Sequence, residues 1–308
     1  MSEPGTPQAP RRAALTFIFV TVVLDMLALG MVVPVLPHLI EDFLGGDIPR
    51  AAQLVGLFST VWAVMQFFSM PVMGALSDRF GRRPVILLSN FGLGLDYVLM
   101  ALPPTLSWLF VGRLISGVTA ASGRTSTASV ADVTPPERRA QSFGFVGVAF
   151  GVGFVLGPAI GGLLGSVDPR LPFWAAACAS LLNAAYGFFI LPESLAPEKR
   201  RAFEWRRANP LGSLRFLRAH REVFALAGAT FLSNLTHAVL PAVFVLYAAY
   251  RYGWDEKAVG LALAGVGISS ALVQGALVGP LVRRFGERRV MIGGLLAGTV
   301  GFMLYAFA

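Results

Sequence analysis

The sequence predicts an all-α polytopic membrane protein, and three observations carry that expectation. Of its 308 residues 55% are hydrophobic and only 14% charged, where a soluble domain carries roughly 25% charged residues. Nine apolar runs follow one another, each near the roughly 20 residues that cross a bilayer core as a helix. A short charged stretch, Gly74–Pro84, returns in register as Gly279–Arg289 between matched apolar runs, so two related halves are expected.

In chain order, residues 1–12 form a polar, Pro-rich tail. No small-residue cleavage site follows the first apolar run, which therefore reads as a span and not a removed signal peptide. The expected spans are 13–36, 54–73, 85–102, 106–131, 143–165, 172–191, 223–249, 258–282 and 290–308. The first six make one bundle, 13–191. The basic stretch 192–222 is a cytoplasmic linker, and 223–308 is a partial second bundle of three spans. If the second half mirrors the first, twelve spans are expected in all, three of them beyond Ala308. Within the linker, Leu211, Leu214, Phe216 and Leu217 lie among arginines. They form either a helix on the anionic inner leaflet or a solvated tether.

The net charge of +8 invites a nucleic-acid reading, but the placement of the charges excludes it. Arginines and lysines crowd the tail, the linker and alternate loops, while only Arg50, Arg170, Arg251 and Lys257 fall on the opposite side. That asymmetry puts the amino terminus in the cytoplasm of an inner-membrane protein. The partners expected are therefore the lipid bilayer, a small substrate and protons. The single cysteine, Cys178, excludes an internal disulfide.

The charged stretch supplies the candidate gate: Gly74, Asp78, Arg79, Gly81, Arg82 and Arg83. It is expected to be a turn. Asp78 and Arg82 are spaced to bridge one helical turn, and the repeat inverts them as Arg283 and Glu287.

Ionisable residues inside spans are costly and mark function by default. Asp25 lies about 18 Å from the cytoplasmic start of the first span at about 1.5 Å per residue, near the midplane. Arg113 reaches a comparable depth from the fourth span. The expectation is that both face one aqueous cavity, Asp25 exchanging a proton and Arg113 tuning it; the alternative is a permanent ion pair. Arg124 lies about 20° around the same helix from Arg113, in a span rich in hydroxyls such as Ser116. Arg124 either touches substrate or pairs with Asp132. Asp96 in the third span is a second proton site or a buried carboxyl bonded to neighbouring helices. Gln66, Asn234, His237 and Gln274 are cavity candidates whose plainer role is bonding between helices.

In the fifth span, Gly157, Gly161 and Gly165 recur every four residues, a stripe that admits a close helix neighbour. Pro158 lacks an amide donor and is expected to kink or loosen the helix there. The pair makes a rocking contact the expected role, with ordinary packing as the alternative. No metal-ligand cluster, nucleophile–base pair or phosphate-cradling loop appears, so neither an enzyme nor a cofactor is expected.

Gly74–Pro84 resembles the signature between the second and third spans of the major facilitator superfamily. Gly112-Arg113-Leu114-Ile115-Ser116-Gly117 resembles its fourth-span motif, and Gly153 to Gly162 the fifth-span antiporter motif of its drug–proton exporters. Leu24-Asp25 with Gly30, Pro34 and Pro37, Leu95-Asp96-Tyr97, Val130-Ala131-Asp132, Arg251-Tyr252-Gly253-Trp254 and Gln274 resemble the tetracycline-efflux type. The resemblance implies two bundles with a central site, alternating access, and proton influx driving export of an amphipathic drug-like molecule. It further implies that Asp78 and Arg82 form a cytoplasmic charge lock. The chain departs from the tetracycline exporters at Gly298, where they have an acid, and at Ser270, where they have a histidine; both bear on drug handling and coupling. The alternatives are proton symport or facilitated diffusion of a metabolite, or a non-transporting protein if the chain ends at Ala308.

Overall fold

The computed structural model describes residues 8–102, 105–119, 122–134, 139–205, 208–209 and 221–307. Among them the regular structure is helical. α1 (Gln8–Val32) ends where Pro34 removes a backbone donor, and α2 (Leu36–Phe43) restarts with Pro37 in its first turn. Gly45 and Gly46 turn the chain at φ 66° and 89°. α3 (Ile48–Phe80) opens on Asp47, whose side chain accepts the Arg50 N–H at 3.0 Å.

α3 corrects the expected charged turn. Its 33 residues extend about 50 Å at 1.5 Å per residue, against a hydrocarbon core of about 30 Å. Gly74 to Phe80 are thus the last turns of a helix projecting past the core. The turn itself is Gly81 alone, at φ 106°, before α4 (Arg82–Ala101).

α5 (Leu106–Thr119), α6 (Ser122–Val133), α7 (Arg139–Gly165) and α8 (Leu171–Ile190) follow. Pro158 does not end α7, which runs through it. An extended segment with one 3-10 turn, Pro197–Lys199, leaves α8. The linker residues Leu211, Leu214, Phe216 and Leu217 lie outside the described residues. α9 (Arg221–Tyr252) and α10 (Glu256–Leu272) come next.

Among the described residues, five helical segments are long and apolar enough to cross a membrane: Thr16–Phe43, Ile48–Phe80, Arg82–Ala101, Val146–Gly165 and Leu171–Ile190. Their outward faces are apolar: Leu88 on α4 is 59% exposed and Phe189 on α8 is 81% exposed. Water would disfavour such faces; lipid does not.

The chain divides into two compact units, Met1–Ala264 and Gly265–Ala308. In the first, α1 packs against α6, α7 and α8, while α4 packs against α5, α6 and α8. One apolar cluster, with Met31, Val35, Ile40, Phe58, Tyr97, Met100 and Phe173, fills the end away from Gly81. A second, with Phe17, Val22, Ile86, Val130 and Leu191, fills the other end. Leu246 of α9 joins the first cluster. In the second unit a π turn, Val273–Leu277, leads to α11 (Val278–Phe285), then Gly286 at φ 81° and α12 (Glu287–Phe307). The local form of the first charged stretch recurs: a helix, one left-handed glycine, a helix. Arg283 and Glu287 are exposed and form no ion pair, so the expected bridge is absent in this repeat.

Candidate functional site

Asp25 sits on α1 one turn after Thr21, so both side chains share a face. That face meets α8 at Asn183. Asn183 Nδ2 donates to Asp25 Oδ1 at 3.0 Å and to the Thr21 carbonyl at 3.2 Å. The Thr21 hydroxyl donates to Asn183 Oδ1 at 3.1 Å. Asp25 is 6% exposed, and Thr21 and Asn183 are fully buried.

A second polar corner lies between α3, α4 and α5. Asp96 is fully buried; a methyl group on Gly112 would approach its Oδ1 to 2.9 Å, so the carboxylate would have to shift to admit one. The charge of Arg113 acts on Asp96. The Arg113 guanidinium lies 5.4 Å from the Trp62 ring centroid, a cation–π distance. Trp62 Nε1–H donates to Ser116 Oγ at 3.2 Å. Tyr97, 4% exposed, feels the charges of Asp25, Asp96 and Arg113.

These contacts revise the expected pairing. Among the described residues the ion pairs join Arg82 to Asp78 and Asp132 and His38 to Glu41. Asp25 engages Asn183 and Arg113 engages Trp62, with Tyr97 linking them electrostatically. Ser116 is buried and bonded, as a corner residue and not a free cavity hydroxyl. Gln66 is partly exposed on α3. Asn234 is exposed, its Nδ2 donating to the Thr230 carbonyl of its own helix at 2.8 Å, which leaves its amide turned to the local backbone. The side chains of Arg124, His237 and Gln274 lie outside the described residues.

At the charged end, Arg82 Nη1 meets Asp78 Oδ1 at 2.7 Å and Ser77 Oγ at 3.0 Å, and its Nε donates to Asp132 Oδ2 at 3.0 Å. Asp132 is thus held by Arg82. Arg83 Nη2 donates to the Phe188 carbonyl at 2.6 Å. Arg79 stacks locally over Phe80 at 5.0 Å. Glu193 was not singled out from sequence, yet it accepts the Arg82 N–H at 2.9 Å and the Leu195 N–H at 3.0 Å. The Arg201 N–H reaches the Asp78 carbonyl at 3.0 Å, binding the segment after α8 to the end of α3.

The glycine stripe of α7 runs along α1. A methyl group on Gly157 would lie 2.7 Å from Gly30 Cα, and one on Gly153 2.5 Å from Met26 Cβ. Gly161 abuts Met31 and Gly165 abuts Val35. The contact with α10 uses a different face: a methyl on Gly260 would meet Gly162 Cα at 2.9 Å. Gly162, outside the expected stripe, thus meets the helices after the linker together with Pro158, whose carbonyl faces Gly260, and Gly165, which lies against Glu256. Among the described residues no group of three or more His, Cys, Asp or Glu is placed to hold a metal.

Residues 18–308 match the Major Facilitator Superfamily. The class C tetracycline resistance protein of Escherichia coli is 43% identical over 96% of this chain and 74% of its own length. Multidrug resistance protein 2 of Bacillus subtilis (strain 168) is 28% identical over 89% of this chain and 68% of its own length. Among solved structures, the human organic anion transporter MFSD10 (TETRAN) superposes with a TM-score of 0.70 at 29% identity, over 88% of this chain and 72% of that one.

Proposed function

The chain belongs to the major facilitator superfamily, and on that premise we propose that it exports an amphipathic, drug-like molecule in exchange for protons. It is a multi-pass membrane transporter, not an enzyme, and its superfamily works by alternating access. The observation that carries the exchange reading is the pair of buried acids, Asp25 and Asp96, in a protein whose surroundings are lipid. Buried carboxylates in a span are retained at a cost that a proton relay explains.

In this reading Asp25 takes and releases the proton, and Asp96, Tyr97 and Arg113 set the field around it. Arg82, Asp78 and Asp132 hold the cytoplasmic ends of α3, α4 and α6 together, with the amino terminus also cytoplasmic. The smooth seam of α7 on α1 lets the first bundle move as one piece, and Gly162 against Gly260 is the contact at the outer end. The two bundles are 13–191 and the helices from 223 onward, joined by the basic linker in an inner membrane. One proton entering down a 100 mV potential supplies about 2.3 kcal/mol, before any pH gradient. That energy reaches the drug only if protonation and drug binding favour different conformations. No cofactor is needed beyond the proton gradient.

The resemblance to tetracycline resistance proteins makes tetracycline the first probe, with ethidium as an amphipathic cation beside it. In proteoliposomes carrying an internal pH dye, drug moving one way drives protons the other way, and Asp25→Asn abolishes both. Protons and drug moving in the same direction would make this a symporter, and drug flux without proton movement a facilitator.

A further inference from the structure

The amide of Asn183 is fully committed. Both of its Nδ2 hydrogens are used, one on Asp25 Oδ1 at 3.0 Å and one on the Thr21 carbonyl at 3.2 Å. Its Oδ1 accepts the Thr21 hydroxyl at 3.1 Å. The Asp25 carboxylate and the Thr21 carbonyl, both acceptors only, fix which way the amide faces: turned over, it would aim oxygen at the carboxylate and leave the carbonyl without its donor, while the hydroxyl donates to the amide oxygen. Asn183 and Thr21 are both fully buried, and two apolar residues would fill the same seam without burying an amide. Packing alone therefore does not account for the pair.

The geometry points to Asn183 as the positioning residue for Asp25, with the Thr21 hydroxyl holding the amide oxygen in place; this rests on the exchange reading above only for its functional consequence. A hydrogen bond to an ionised carboxylate is stronger than one to the neutral acid. The clasp between α1 and α8 is accordingly tightest when Asp25 is charged and relaxes when it carries a proton. Proton loading is thus tied to the seam between two helices of the first bundle. Among the described residues, the charges of Asp25, Asp96 on α4 and Arg113 on α5 all act on Tyr97 of α4, and α6, which also packs on α1, carries Asp132, held by Arg82. α7 carries no titratable side chain between Val146 and Gly165, and α8 carries only Cys178 and Tyr186, the latter stacked on Phe17 at 5.1 Å.

The test is infrared spectroscopy of the purified full chain in lipid, following the carboxyl stretch that Asp25→Asn removes. Asn183→Ala displaces that band, and Thr21→Val, which swaps a hydroxyl for a methyl of similar size, displaces it less in the same direction. Drug-driven proton exchange, probed with tetracycline and ethidium, falls about tenfold in Asn183→Ala, the scale of one lost hydrogen bond to a charged group. An Asp25 band unmoved in both variants overturns the inference. If Asn183→Ala does not assemble, the Thr21→Val band alone decides. If the unaltered chain exchanges no protons with either probe, the export reading fails while the band comparison still decides the positioning role.

Discussion

Glu193, just past the end of α8, accepts the backbone N–H of Arg82 at the start of α4 at 2.9 Å and reaches that of Arg83 at 3.4 Å. A carboxylate from a distant part of the chain thus caps a helix whose own preceding residue, Gly81, has no side chain to do so. Gly81 is required twice over: by its φ of 106° and because a methyl there would run into the Glu193 carboxylate. Glu193→Ala should cost about 1 kcal/mol, the typical value of a lost N-cap. Thermal unfolding in detergent reads it as a fall of a few degrees, and Glu193→Gln should recover part of the loss.

Gly157 and Gly30 approach so closely that a methyl on either would lie under 3 Å from the other's Cα. Gly157→Ala should cost about 1–3 kcal/mol by overpacking, and Gly157→Leu should prevent assembly. Gly151, on the same helix, has nothing within 4 Å of an added methyl. Gly151→Ala is the matched control and should leave thermal stability and membrane yield unchanged.

Arg82 and Asp132 join α4 to α6, but both partners keep some contact with solvent, at 14% and 26% exposed. Screening limits such a pair to about 0.2–1 kcal/mol, so Asp132→Asn should barely move the unfolding temperature. Its effect should appear in transport, as a slower maximal rate with unchanged apparent affinity for the drug. A double-mutant cycle with Arg82→Gln should show the two substitutions to be non-additive in that rate.

Trp62 holds Arg113 by its ring face and Ser116 by its indole N–H. Trp62→Phe keeps a ring for the guanidinium and loses only the donor, whereas Trp62→Ala loses both. Cation–π contacts run from about 0.5 kcal/mol exposed to about 2 kcal/mol desolvated. Exchange rates should therefore fall about twofold to about thirtyfold further in Trp62→Ala than in Trp62→Phe.

Much of this protein could be read along the chain. Hydropathy marked the helices, because a membrane helix satisfies its own backbone and needs only an apolar run. Asp25 and Asp96 stood out because a carboxylate inside such a run is expensive whatever its neighbours. The inverted repeat of the charged stretch was visible, and Gly81 and Gly286 do occupy the same left-handed position. Local rules could not say whom these groups meet. Asp132 was a candidate partner for Arg124 on its own helix, yet it engages Arg82, carried to it by the packing of α4 on α6. Asp25 was set beside Arg113, yet it engages Asn183, a lone amide in an apolar run that offered only a faint signal. Glu193 gave no signal at all, since its carboxylate acts on backbone amides of a remote segment. The sequence by itself determined which residues could not rest in lipid unaided, because that cost depends on the side chain alone. Only the tertiary structure decided which partner relieves each of them, because hydrogen bonds reach about 3 Å and the fold alone brings distant parts of the chain that close.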